Sequence, residues 1–324
     1  MTTDGPDNPQ KFLFIGGLHR SGTTLLHQCI TDHPALNRFR TTNVPEDEGQ
    51  FLQTVYPDDY AYGGPGQIGF FPAAHLTETS PLATPAHAAQ IAREWSGYWE
   101  KDAALHTEKT PRNLLQSRFL NALFPQSRFV FLVRHPIAVA MATRKWALAP
   151  LSNLVLHWLA CHETLLADIE HLNDFKIFRY EDFIRKPQAV VDQVYDLVNV
   201  PTVPLKRRVR ADGNRDYEAE WQELQRWARL KRYSFAERYT AGSRSDWRLR
   251  GVLRRLNGLS DRWGWGRHGQ AYIPYHEAAV VEGHLRPQLQ RFGYDIEDGR
   301  FVTLPDAVLP YVQVDDAAGG AART

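Results

Sequence analysis

Cysteine and methionine are both scarce in this chain, with two of each in 324 residues. Two cysteines, Cys29 and Cys161, cannot build a disulfide framework, and each falls in a helical pattern where a small hydrophobe belongs, which fits a reducing cytoplasm. Long apolar runs are missing too: no window approaches about 18 consecutive apolar residues and no charged-then-apolar leader is present, so neither membrane spanning nor secretion is expected. The chain contains no GxSxG elbow, no HExxH and no CxxC, which removes the common seryl-nucleophile and metal-site patterns. His157, Cys161 and His162 share one helical segment and read as core packing.

What is present is a composition that folds. Hydrophobic residues make up 43% of the chain, enough for a sizeable buried core, and the formal net charge is only +1. That charge is unevenly spread, because Lys206 to Arg267 carries 17 Lys and Arg against 8 Asp and Glu. The block also holds Trp221, Trp227, Trp247, Trp263 and Trp265. It is either a cover for an anionic ligand or surface, or a solvated helical face anchored by tryptophans. Nucleic acid is not an expected partner.

Residues 1–10 and 315–324 are polar and read as loose ends around a single domain over residues 11–314. Within it, Phe12 onward is a strand followed by a helix from Gly22 to Asp32, which stops before Pro34. Residues 37–85, rich in proline, aromatics and a Gly63 to Gly66 turn, form a long irregular excursion of the kind that covers a substrate site. Helices are expected over Ala88 to Ala104, where Ile91, Trp95 and Trp99 recur every four residues, and over Asn113 to Leu123. Short apolar strands at Arg128 to Val133 and Phe175 to Phe178 alternate with helices at Pro136 to Trp146, Ser152 to Leu172 and Pro187 to Val198. The pattern predicts an α/β fold with a P-loop-like central parallel sheet flanked by helices, and a mostly helical last third that includes the basic region 205–270.

Gly17-Leu-His-Arg-Ser-Gly22-Thr-Thr has the spacing of a loop whose backbone N–H groups and helix start cradle an anion. It lacks the lysine of a nucleoside-triphosphate loop, since Thr23 follows Gly22 and the cation is Arg20; and Arg128 to Val133 ends in Arg134, where a metal-binding carboxylate would stand. An anion neutralised by side chains and backbone, without a metal, fits a sulfuryl group. From Phe12 to about Glu181 the chain resembles the sulfotransferases that use 3′-phosphoadenosine 5′-phosphosulfate (PAPS), in the RSGTT form of their tyrosylprotein and glycan branches.

The resemblance implies that Arg20, Ser21, Gly22, Thr23 and Thr24 hold the 5′-phosphosulfate, that Arg134 binds the 3′-phosphate, and that Tyr180 lies near the adenine. A serine eight residues past the strand-end arginine joins it in the family; here that position is Ala142, leaving Thr143, Arg144 or Lys145 as substitutes. Thr107 to Asn113, TEKTPRN, resembles the segment whose lysine steadies the transferring group, which points to Lys109. For the base that takes the acceptor proton, Glu48 comes first and Glu46 second, with His75, His106 and His135 as alternatives and His19 as a residue that lines the loop. The expected reaction is in-line transfer from PAPS to a hydroxyl, or an amine, of a small-molecule, glycan, peptide or membrane-surface acceptor, releasing 3′-phosphoadenosine 5′-phosphate (PAP). An altered kinase using ATP and Mg²⁺, or a non-catalytic nucleotide-binding scaffold, are the competing readings.

Overall fold

The computed structural model describes residues 11–40, 42–100, 103, 105–147, 149–226 and 278–314. Most of the basic Trp-rich block, from residue 227 on, and both expected loose ends lie outside the described residues.

Strands β1 (Lys11–Gly16), β2 (Leu36–Asn37), β3 (Leu105–Lys109), β4 (Arg128–Val133) and β5 (Phe175–Arg179) form one parallel sheet in the order β2-β3-β1-β4-β5. Side chains alternate across it. Phe12 and Phe14 of β1, with Phe129 and Phe131 of β4, enter one core, while Leu13, Ile15, Val130 and Leu132 enter another on the opposite face. Helices α1 (Thr23–Ile30), α6 (Tyr180–Arg185) and α7 (Pro187–Leu197) cover the second face. The first face is covered by α2 (Pro85–Ser96), α3 (Ser117–Leu123), α4 (Pro136–Thr143) and α5 (Leu151–Asp168). This is the α/β architecture the sequence predicts, and it buries both faces of every central strand.

Two expectations are corrected. The helix expected over Ala88 to Ala104 ends at Ser96, and the half-buried Trp99 packs for another reason: it stacks on Phe39 at 4.1 Å and on His106 at 4.4 Å at the edge of the sheet. The segment TEKTPRN supplies a central strand, β3, and then a 3₁₀ turn over Pro111–Leu115, so regular helix starts only at Ser117. The last third is helical over residues 215–226, which bury Trp221, and over residues 278–291, and it adds a feature the sequence did not predict: β6 (Tyr294–Glu297) and β7 (Arg300–Thr303) pair as an antiparallel hairpin. Asp298 and Gly299, both at positive φ, make its two-residue turn.

After β1 the chain builds β2 and β3 on one side, then β4 and β5 on the other. Strand order therefore reverses at β1, and the carboxyl ends of β3, β1 and β4 open on the crevice where ligands of such sheets bind. Among the described residues, no helix is long and apolar enough to cross a membrane.

Candidate functional site

Three cations of the sequence reading come from the carboxyl ends of three adjacent strands: Lys109 closes β3, Arg20 lies in the loop after β1, and Arg134 follows β4. A cleft of about 920 Å³ opens there, lined on one side by Arg20, Gly22, Thr23, Thr24, Arg134 and Tyr180. Glu46, Glu48, Phe51, Asp59 and Tyr60 of the excursion line the other.

The loop is built to leave donors free. Gly17 adopts φ 148° and a Cβ there would stand 2.4 Å from the Leu132 carbonyl oxygen; Gly22, at φ 94°, lies against the Tyr180 ring, 2.7 Å from where a Cβ would be. Gly22 caps α1 without any side-chain hydrogen bond, and the Ser21 Oγ is buried with no partner. Arg20 sits at φ 70°, a strained conformation for a residue with a Cβ, and its carbonyl accepts a 2.8 Å bond from Arg134 Nη1. The Arg20 guanidinium is exposed and lies 4.7 Å over Trp146, which is itself 60% exposed on the cleft rim.

Arg134 is almost fully enclosed. Its Nε donates to Asn214 Oδ1 at 2.8 Å and its Nη2 to the Gly213 carbonyl at 2.6 Å, while the guanidinium packs on the rings of Tyr180 and Tyr217. Burial lowers its proton affinity and raises that of the Tyr180 hydroxyl. Ala142 is wholly buried, and Thr143 at the end of α4 faces a separate small cavity with His19 and His157. Arg144 pairs with Glu220, and Lys145 lies over Tyr217.

Across the cleft, the excursion runs through five 3₁₀ turns between Pro45 and Ala74. With so little regular backbone bonding, buried polar side chains hold it. Arg112, with no exposed surface, donates to the carbonyls of Pro57 and Ala74 and packs against Tyr56 and Tyr62. Glu108, whose proton affinity is raised by burial, accepts from the Gly49 N–H at 2.9 Å and from Asn113 and Thr110. His19 Nε2 meets Asp59 Oδ2 at 2.8 Å and so ties the excursion to the anion loop. Burial would raise the Asp59 carboxyl, yet the His19 bond and charge and the Gln50 contact outweigh it and hold it low.

This scaffold brings Glu48 to Lys109: Nζ donates to Oε1 at 2.8 Å, with Glu48 5% and Lys109 1% exposed. Gln50 donates to the other carboxylate oxygen. Glu48 lines the cleft and Lys109 stands behind it, whereas Glu46 is exposed at the mouth, at φ 52°. The alternative histidines lie elsewhere. His75 pairs with Asp168 at 2.9 Å, and His106 bonds Asn37 at the opposite end of β3. His135 is buried against the Asp295 carbonyl, pushed down to about 3 by burial. His157, Cys161 and His162 are buried in α5. Sequence reasoning missed Asp59, Trp146, Asn214, Glu108 and Arg112; the last two stand in the TEKTPRN segment already singled out, so that segment carried more signal than its lysine alone.

Comparison with known proteins identifies a family. The model of the Sulfotransferase family matches residues 13–204. Protein-tyrosine sulfotransferase A of Caenorhabditis elegans is 22% identical over 208 residues, covering 61% of this chain and 52% of that protein, so this chain spans about half the length of that curated relative. Among solved structures, the sulfotransferase domain from the curacin biosynthetic pathway is similar at 23% identity over 59% of this chain and 75% of its own, with a TM-score of 0.39. A sulfotransferase from Alicyclobacillus acidocaldarius is 14% identical over 65% of this chain and 90% of its own, with a TM-score of 0.41.

Proposed function

This chain belongs to the sulfotransferase family, and we propose that it moves a sulfuryl group from PAPS to an acceptor hydroxyl, or less readily an amine, by direct in-line transfer. The observation that carries the reading is the buried Glu48–Lys109 pair, 2.8 Å apart, at the carboxyl end of the strand beside the anion loop.

The loop fits the sulfate end of the donor. Ser21 Oγ is a buried hydroxyl that lacks a partner, the start of α1 is uncapped, and the two glycines keep the cradle free of side chains. Arg20 adds charge at its lip and Arg134 supplies a cation for the 3′-phosphate, with Thr23, Thr24 and Tyr180 completing that wall. When bound, PAPS supplies an activated sulfuryl group whose leaving group is the nucleotide 5′-phosphate.

Glu48 takes the proton of the acceptor hydroxyl as its oxygen bonds to sulfur and the bridging sulfur–oxygen bond breaks. Neutralising the carboxylate removes the counter-charge of Lys109, whose ammonium then stabilises the negative charge gathering on the leaving oxygen. Proton removal and leaving-group stabilisation are thereby coupled through one ion pair. Phe51, Tyr60 and Trp146 on the rim suit a tyrosyl ring, another phenol or a sugar face. We place the enzyme in the cytoplasm, where the buried free thiols of Cys29 and Cys161 stay reduced.

The test is PAP release from PAPS across tyrosyl peptides, phenols and sugars. Glu48→Gln and Lys109→Ala should each lower turnover by roughly a hundredfold or more while the proteins stay folded. Near-normal turnover in a folded Lys109→Ala variant would remove that residue from the mechanism, and Mg²⁺-dependent phosphorylation from ATP would replace the reading altogether.

A further inference from the structure

A guanidinium has five N–H donors, and among the described residues Arg134 uses three of them: Nε on Asn214 Oδ1, Nη1 on the Arg20 carbonyl and Nη2 on the Gly213 carbonyl. Two remain for a ligand. Which way those two point depends on what holds the other three, and Asn214 is the one side chain in that set.

Asn214 is itself held. Its Nδ2 donates to Glu181 Oε1 at 2.7 Å, and the same oxygen accepts from the backbone N–H of His135 at 3.1 Å, the residue after Arg134. A carboxylate on one side and a guanidinium on the other fix the orientation of the amide, because only its oxygen can accept from Arg134 and only its nitrogen can donate to Glu181. Gly213 allows the approach, since a Cβ there would stand 2.1 Å from the Tyr180 hydroxyl. On the helix side, Ala142 offers no polar atom and Thr143 faces another cavity.

We propose that Asn214 is a positioning residue for Arg134, presenting the two free N–H groups to the nucleotide so that discrimination of the 3′-phosphate depends on a side chain outside the sheet. The inference rests on the proposed donor. An arginine already held loses less rotamer freedom on binding than a free one, so removing the hold weakens the contact made by Arg134 without touching the ligand.

Calorimetric titration with PAP and with AMP, which lacks the 3′-phosphate, tests it. In Asn214→Leu, and in the smaller Asn214→Ala should the first fail to fold, PAP should bind about tenfold more weakly while AMP binding stays within about twofold of wild type. In an Arg134→Ala background the Asn214 substitution should cost nothing further, because both act on one contact. An unchanged PAP-to-AMP ratio in a folded Asn214 variant, or losses that multiply in the double variant, overturns the positioning role alone. A wild-type protein that binds both nucleotides equally overturns the donor assignment, and this inference with it.

Discussion

The two walls of the cleft are made by different means. The anion loop is shaped by backbone: glycines at positive φ, an uncapped helix start and strand ends set by a parallel sheet. The excursion opposite has almost no regular structure and is held by a few buried polar side chains, Arg112, Glu108 and the His19–Asp59 pair. A backbone-built wall tolerates many side-chain changes but not a Cβ in the wrong place. A wall hung on single buried charges fails when one is removed, because its carbonyls are left unpaired. Under the proposed function the loop wall serves the constant part of the reaction, the nucleotide, and the excursion wall serves the acceptor.

Arg112→Ala should break this asymmetry most strongly. Removing the guanidinium frees the carbonyls of Pro57 and Ala74 and displaces the segment carrying Glu48, Asp59 and Tyr60, so turnover should fall on the order of a hundredfold or more. PAP affinity should change far less. Equal losses in both would show that the walls are one unit.

Gly22→Ala is the reciprocal test. A Cβ at φ 94° and 2.7 Å from the Tyr180 ring distorts the loop, so nucleotide affinity should drop about tenfold by titration. Unaltered PAP binding would mean that the loop does not hold the nucleotide.

A smaller effect shared by both walls comes from pH. Burial holds His27, which bonds Thr107 under the loop, and His157, which packs on Phe70 of the excursion, at about 3; His135 is also near 3, and His162 near 4. The unfolded chain takes up these protons near pH 6.5 and the folded one only far lower. Across that window the unfolded state therefore binds more protons, and stability falls as pH drops below about 6.5. The melting temperature should fall by about 10 °C between pH 7.5 and 5.5, and a flat profile would show that these imidazoles are hydrated or paired in the folded state.

The same contrast explains what the sequence disclosed. The loop wall was legible because its determinants are local: an apolar strand, glycines at fixed spacing and an arginine at the end of the next apolar run. Strand β3 was not, because its buried residues His106, Thr107, Glu108 and Lys109 are polar, each satisfied by a distant partner, so no apolar run betrays it. Trp99 imitated helical spacing while serving a sheet edge. Glu48 and Lys109 were each singled out from a motif, but their contact spans 61 positions and no local pattern encodes it. Asn214 carries no local signal at all; only the fold brings it to Arg134.

Under the proposed function the loop wall accommodates a 3′-phosphorylated adenine nucleotide without a metal. Melting curves of the wild-type protein with PAP, or with ATP and Mg²⁺, test it most directly, since a ligand at about a hundred times its Kd adds roughly 2.7 kcal/mol of stability. A rise of several degrees with PAP, undiminished by a chelator, is expected, with little or none from ATP and Mg²⁺; a rise with ATP and Mg²⁺ alone would rule out the donor assignment.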